Sequence, residues 1–499
     1  MSNTNRVAIR AVVEASFGVV PATPDLRDLC ITGAPGLAFT PETTVSEKIR
    51  SDRQIDDLPL IGGEAGGDIT SELAFGVHDF FLEGAFFNAF QVRNSRINDE
   101  TETQITAVSA TEFTVTSGDV PVVDDIVRGE GFGEAGNNAY HIIDGSPTAT
   151  TFTTATAEAE TTPPNQARLK TVGRRSAAGD LDLTITGSTG TLVSTVLDFT
   201  TLDLEAGDWV ALDGFPGEPL NEDFYRLSVD PIATQLTFDI VPVGSITEAP
   251  AGAVDVYMGE RLINGTVFQS YTLEEEFEDH SPVTFQYFRG MAIDGMVLTA
   301  PSQSIVTLDF TFSGKDAFYS DATTPASTPD QLPAVAGDGR VDAATTITLL
   351  PVTVLNSSSN VARISRGGVP ITGANFVLEA SVEIANNLRQ LTAVGFLGAV
   401  SIGDGEFGVT GSLNTYFDDS SLARDVVNNT ETSFDMRFVD AESHTIVIDA
   451  PRIKFSEGAP DVPGKNEDVT IALAYQAIRH PTFNQTLLWQ RFTGFQKSS

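Results

Sequence analysis

Five histidines, His78, His141, His280, His444 and His480, are the side chains of this 499-residue chain best suited to proton transfer or metal ligation near neutral pH. Their spacing supports neither, because no two of them stand in an H-E-x-x-H frame or any other metal-binding interval. A single cysteine, Cys30, excludes an internal disulfide and a cysteine-based zinc or iron–sulfur site, and reads as a small core residue. No G-x-S-x-G nucleophile elbow occurs. Gly131-Phe-Gly-Glu-Ala-Gly136 matches G-x-G-x-x-G but opens no helix, so it reads as a glycine-rich hairpin rather than a dinucleotide loop. Asp404-Gly405 between apolar runs reads as a hairpin turn. In so acidic a chain, paired carboxylates do not point to glycoside hydrolysis. The expectation is a protein without catalytic residues, metal or cofactor.

The charge balance narrows the class. Acidic residues number 68 against 29 basic ones, a formal charge of −39. General affinity for nucleic acid needs clusters of Lys and Arg and is excluded. The charge suits a very soluble particle or a surface that must not hold DNA, and suits a saline habitat equally well. Arg6, Arg10 and Glu14 interrupt any signal-peptide core, and the apolar stretch 390–403 is too short and glycine-rich to cross a bilayer, so the chain is expected to be soluble and made in the cytoplasm. Alternating runs recur: in Ser304–Phe312, residues Val306, Leu308, Phe310 and Phe312 fall on one face of a strand. Helical periodicity is rare, with His78–Asn88 the clearest case, where Phe81, Leu82, Ala85 and Phe86 share a side. The fold class is mainly β with a few short helices.

Self-similarity organises these elements. Asp68–Phe75 aligns with Gly408–Thr415, Ile69 on Val409 and Leu73 on Leu413, an offset of 409 − 69 = 340 that continues through the helix. A second block aligns at 469 − 306 = 163, with Val306, Leu308, Phe310 and Phe312 on Val469, Ile471, Leu473 and Tyr475. Phe39, Glu42 and Val45 match Phe376, Glu379 and Val382 with some slippage. The first copy therefore carries a long insertion, itself repeated: Asp125–Phe132 resembles Asp208–Phe215, and Ala167–Arg174 resembles Ala253–Glu260. The predicted organisation is an N-terminal arm (1–27), a discontinuous first domain (28–99 with 262–318), two inserted β modules (100–178 and 179–261), a connector rich in Thr, Pro, Ala and Gly (319–372) and a second domain (373–499). The modules are expected on the outside of the parent domain, where their deletion is tolerated.

Several segments resemble siphophage tail tube proteins. Arg6–Arg10 with Glu14–Pro24 looks like their opening arm, and Lys48–Leu58, with its Arg50-Ser-Asp-Arg-Gln54 run, looks like the loop after their first strand. Gly66–Phe87 looks like their second strand and helix, and Ser270–Phe277 and Asn375–Arg389 fit as well. The double insertion departs from a bare duplicated tube domain. The resemblance implies β-sandwich domains with one flanking helix, joined edge to edge into a ring around a DNA channel. With two such domains per chain the simplest ring is a homotrimer with pseudo-sixfold symmetry, stacked into a tube and meeting a tape measure protein, a tail terminator and a distal tail protein. Arg50, Ser51, Asp52, Arg53 and Gln54, together with the N-terminal arm, are the candidate inter-ring contacts. Glu72 and Asp309 alternate out of phase with apolar neighbours and are the channel-lining candidates, passing DNA without binding it. The acidic run Glu274–Asp279 reads as solvated exterior rather than bore. A terminator or distal tail protein of the same fold is the nearer alternative; a β-rich carbohydrate-binding or adhesion protein is the farther one, disfavoured by scarce Trp.

Overall fold

The alternating run at 306–312 behaves as its period requires: Val306, Leu308, Phe310 and Phe312 are buried, while Thr307 and Asp309 between them are half-buried on the other face. The computed structural model describes residues 3–21, 24–33, 36–93, 105–115, 121–145, 147–164, 167–321, 345–347, 353–371 and 375–495. Before the insertion stand β1 (Val7–Val13), β2 (Asp25–Asp28), β3 (Ala38–Thr43), β4 (Leu60–Glu72) and α1 (Asp79–Phe86). The insertion holds β5 (Ile105–Val108), β6 (Glu112–Val115), β7 (Asp125–Glu130), β8 (Tyr140–Ile142), β9 (Thr151–Thr153), β10 (Arg168–Arg175), β11 (Asp182–Thr186), β12 (Thr189–Val193), β13 (Trp209–Asp213), β14 (Phe224–Leu227), β15 (Gln235–Ile240) and β16 (Asp255–Met258). After it come β17 (Glu260–Ile263), β18 (Tyr271–Phe277), β19 (Thr284–Pro301), β20 (Thr307–Gly314), β21 (Asp316–Asp321), β22 (Thr345–Ile347), β23 (Val361–Arg366) and β24 (Val369–Pro370). The C-terminal part adds β25 (Val377–Ala385), β26 (Arg389–Leu391), β27 (Ser401–Gly403), β28 (Gly408–Tyr416), α2 (Ser421–Asn428), β29 (Glu431–Val439), β30 (Thr445–Asp461), β31 (Thr470–Ala477) and β32 (Leu488–Phe492).

One antiparallel layer, called the wall below, runs β3-β4-β20-β19-β25-β28-β31-β30. Two outer sheets, β22-β2-β1-β18-β19-β21 and β24-β23-β29-β30-β32-β17, complete the body. The long strands β19 and β30 belong to both layers, passing from outer sheet to wall at register breaks that bend them. The segment expected as an arm supplies β1, paired along all seven residues with β18. In the connector, 322–344, 348–352 and 372 lie outside the described residues; the rest supplies the end of β21 and β22 to β24.

The pairing repeats along the chain. Register breaks at 271/273 and 293/295 in the β18-β19-β20 set recur at 432/434 and 455/457 in β29-β30-β31. The first pair of breaks differs by 432 − 271 = 161 and the second by 455 − 293 = 162. The third strands, β20 and β31, differ by 470 − 307 = 163. Phe310 faces Ile69, and its counterpart Leu473 faces Leu413, so β4 and β28 differ by 413 − 69 = 344 rather than the 340 read from sequence. A shift of four keeps the same residues on the buried face, which is why apolar patterning did not reveal it.

A single apolar cluster fills the space between wall and outer sheets, drawing on both halves. Helix α1 is a wedge in it: Phe81 packs edge-on against Tyr271 and Phe312 at 5.2 Å and lies 5.3 Å from Phe310. Gly84 is required there, because a Cβ would meet the Tyr271 hydroxyl. In α2 only Leu422 is buried. The insertion shares one nine-stranded sheet, β11-β12-β15-β14-β13-β16-β10-β7-β8, in which β10 and β16 join its two halves; β5, β6 and β9 form a separate sheet.

Candidate assembly surfaces

The residues with chemical potential are committed to structure. In the glycine loop, the N–H groups of Gly133 and Gly136 donate to the carboxylates of Glu160 (2.9 Å) and Glu158 (3.1 Å). A phosphate would find these amides taken and two negative charges in its place. The second half of the insertion repeats the device, with the Gly217 N–H and Asn221 side chain both donating to Glu248 (2.7 and 2.9 Å). Burial depresses His78 to about 4, so its imidazole is neutral. Cys30 is exposed, not a core residue as its type suggested, since it follows the end of β2 where the chain leaves the sheet. No cluster of metal-ligating side chains occurs among the described residues. A cleft of about 410 Å³ beside β23 and β25 has Arg363 as its charged lining residue, and that guanidinium pairs with Asp435 at 2.9 Å. Among the described residues no helix is long and apolar enough to cross a membrane.

What stands out is the face of the wall turned away from the core. Ser71, Leu73, Leu308 and Phe310 are buried, so the strand period turns Glu72 and Asp309 to the opposite side, where Asp309 accepts a hydrogen bond from the Thr70 hydroxyl. Pairing carries Glu64, Asp68, Glu383 and Glu457 to the same face. From β3 through β31 no Lys or Arg shares it. Lys454 faces this way beyond the β30 register break and pairs with Glu431 at 3.5 Å. The acidic run 274–279 lies elsewhere. Glu274 is buried in the outer sheet, ion-paired to Arg10 at 2.9 Å and accepting from the Tyr287 hydroxyl, and burial pushes Glu275 up to about 7. Its first half is therefore interior rather than solvated surface.

Two hairpin arms leave the wall at equivalent places. The first extends β3 and β4, with Thr44 N–H to Pro59 O (3.1 Å) and Ser46 N–H to Asp57 O (2.9 Å). It carries Arg50 to Gln54 at its tip, where Arg50 pairs with Asp52 (2.8 Å) and Asp56 (2.6 Å) and Lys48 with Asp56 (2.9 Å). These charges bind one another, and Arg53 turns the chain at φ 61°. The second arm is β26 and β27, turning through Gly395. Both present large apolar side chains to solvent: Ile49, Ile55 and Leu58 on one, Val394, Phe396 and Leu397 on the other. The family resemblance picked out the Arg-Ser-Asp-Arg-Gln run and passed over its apolar neighbours. The signal was present as isoleucines inside an otherwise polar loop, where solvent gives no reason for them.

The insertion is fastened to the second half. Trp209, Phe224 and Tyr257 pack with Val447, Leu488 and Phe492 in one buried cluster. The Trp209 indole donates to Asp449 at 3.1 Å, and Arg226 pairs with the same carboxylate at 3.0 Å. Burial pushes Asp449 up to about 6, and the guanidinium beside it favours the charged form. His444 bridges the two parts, with Nε2 to Glu130 at 2.7 Å and Nδ1 to Asp440 at 2.8 Å. Burial alone would depress the imidazolium, but the hydrogen bonds to Asp440 and Glu130 outweigh it and push its pKa up to about 9. Burial would likewise raise Glu130, yet His444 and Arg168 hold it down at about 2.

Fold and surfaces together define a mainly β protein whose exposed features are sheet edges, projecting arms and an acidic sheet face. The family model described as phage tail tube protein matches residues 4–477, and the chain belongs to that family. No curated protein matches it. Membership assigns a structural role in the virion tail and implies self-assembly into a tube.

Proposed function

We propose that the chain is the ring-forming subunit of a siphophage tail tube, with residues 28–99 plus 262–318 as one tube domain and 373–499 as the other. The observation that carries this reading is the internal junction: β19 of the first set pairs with β25 of the second, so two like units already join edge to edge in one wall. The outer edges of that wall, β3 and the C-terminal half of β30, have no strand partner among the described residues, and a closed ring would satisfy them. Eight wall strands per chain give 24 in a trimer and 48 in a hexamer. At the usual strand spacing and tilt these close to about 50 Å and about 100 Å across. The smaller ring suits a bore for one DNA duplex, so the subunit is a trimer with pseudo-sixfold symmetry. The acidic face, including Glu72 and Asp309, lines the bore and repels phosphate during ejection. The arms, with Arg50, Ser51, Asp52, Arg53 and Gln54 shaping the tip of the first, reach the next ring. The tape measure protein occupies the bore before ejection, terminator and distal tail proteins close the ends, and assembly takes place in the host cytoplasm. The reaction is mechanical, not enzymatic.

Electron microscopy of the purified protein tests this. Rings of three chains, alone or stacked, are expected; a homogeneous monomer at concentrations where tail proteins assemble would refute the reading.

A further inference from the structure

The internal junction also fixes how neighbouring chains meet. We infer that β30 of one protomer pairs antiparallel with β3 of the next in one register, placing Glu457 opposite Thr40, Gly458 opposite Phe39, Ala459 opposite Ala38 and Pro460 opposite Leu37. The inference rests on the ring reading above and adds the partner strand and its alignment.

The alignment follows from two registers within the chain. At the junction Met296 faces Ile384 and Leu298 faces Val382, with Asn386 N–H to Asp294 O and Ser302 N–H to Leu378 O both at 2.7 Å. The register breaks relate β19 to β30 by 455 − 293 = 162, so Met296 corresponds to Gly458 and Leu298 to Pro460. Ile384 faces Val409, whose counterpart 409 − 344 = 65 is Ala65, and Ala65 faces Phe39. Ile384 thus corresponds to Phe39 and Val382 to Leu37. Substituting each residue by its counterpart turns the internal junction into the proposed external one.

Hydrogen-bond direction supplies an independent check. Gly36 N–H donates to Asp68 O at 2.9 Å, so the even residues of β3 bond inward to β4 and Leu37, Phe39 and Pro41 aim at the free edge. Phe417 N–H donates to Val469 O at 3.0 Å, so odd residues of β31 bond to β28 and even ones to β30. Those even residues face Glu457, Ala459 and Asp461, which leaves Gly458 and Pro460 aimed outward. The register brings the two outward sets opposite each other, where a slip of one residue would set bonding groups against occupied ones. It also lays the Phe39 ring against a glycine, and neither proline meets the other. Pro41 and Pro460 each remove one outward N–H, which weakens pairing with arbitrary strands while Leu37, Phe39 and Gly458 keep theirs.

Cysteine pairs read this register. Ala38 and Ala459 would form a non-hydrogen-bonded pair with Cα atoms about 4.5 Å apart, within disulfide reach. Within one chain they stand at opposite ends of eight strands, about 34 Å apart, so any bond between them is intermolecular. In a Cys30→Ser background, Ala38→Cys with Ala459→Cys is expected to oxidise to covalently closed rings on a non-reducing gel. It should do so at least tenfold faster than the shifted combinations Ala38→Cys with Glu457→Cys and Thr40→Cys with Ala459→Cys. Thr40→Cys with Glu457→Cys is a second in-register pair, should the first disturb folding. Rings, confirmed by microscopy, that cross-link through a shifted pair or through none overturn the register and leave the ring standing. A chain that stays monomeric overturns both.

Discussion

His444 is an imidazolium because two carboxylates from different parts of the chain claim both of its nitrogens, and Phe75 stacks on the ring at 4.5 Å. Its raised pKa means that its contribution to stability is fully present below the ordinary histidine value of 6.5 and is lost as pH rises through about 9. Glu130 works in the other direction: its contribution is present above the ordinary 4.5 and is lost as pH falls through about 2. The bridge is therefore complete between these limits and fades on the alkaline side first. His444→Gln is expected to cost about 3 kcal/mol at pH 6, since it takes the imidazolium from two partly buried carboxylates and leaves Glu130 only its arginine neighbours Arg168 and Arg128. The gap between wild type and variant in thermal melts should narrow by pH 9.5. A gap independent of pH would show that the histidine acts by packing alone. Nothing in the sequence pairs Glu130, Asp440 and His444, because two of the three lie more than 300 residues from the third. By contrast, the placement of Glu72 and Asp309 away from the core was legible, since it needs only the strand period.

The strands themselves were legible wherever one face is buried, as in β20 and β31, and α1 emerged from its phenylalanines almost to the residue. The bends of β19 and β30 were not, because a register break inserts one residue without changing the residue types around it. Phe39 was aligned eight positions from its structural counterpart for a related reason: the hairpin continues past β25 into β26, and an exposed hairpin has no apolar period to anchor it. The same hairpins now carry a prediction. Ile49 and Ile55 are exposed, so Ile49→Asp with Ile55→Asp should change the unfolding free energy by no more than the amount usual for surface sites, about 0.5 kcal/mol. If the arm seats against the next ring, the variant forms rings but tubes shorten or vanish in micrographs, with the critical concentration for tube growth raised at least tenfold. Tubes of normal length would remove the arm from the axial contact.

At the scale of the whole molecule, the insertion is more than an ornament on a loop tip. The sequence reading expected residues 100–261 to be dispensable, on the principle that exposed loops accept long inserts. The cluster around Trp209 changes that expectation: excision uncovers Val447, Leu488 and Phe492 on the outer sheet, each worth about 1.5–3 kcal/mol while buried. It also removes β17's first residues, and with them the strand that covers the edge of β32. An excised chain is therefore expected to aggregate rather than assemble. Retaining β17 and adding Val447→Thr, Leu488→Thr and Phe492→Thr to make that face polar should restore soluble rings, because the wall lies on the other layer and only the outer-sheet half of β30, through Val447, joins the Trp209 cluster. Light scattering separates the cases: the bare excision scatters as large irregular particles, the repaired one as rings. Should the bare excision form normal tubes, the Trp209 cluster would be a contact of convenience, and the insertion a removable decoration after all.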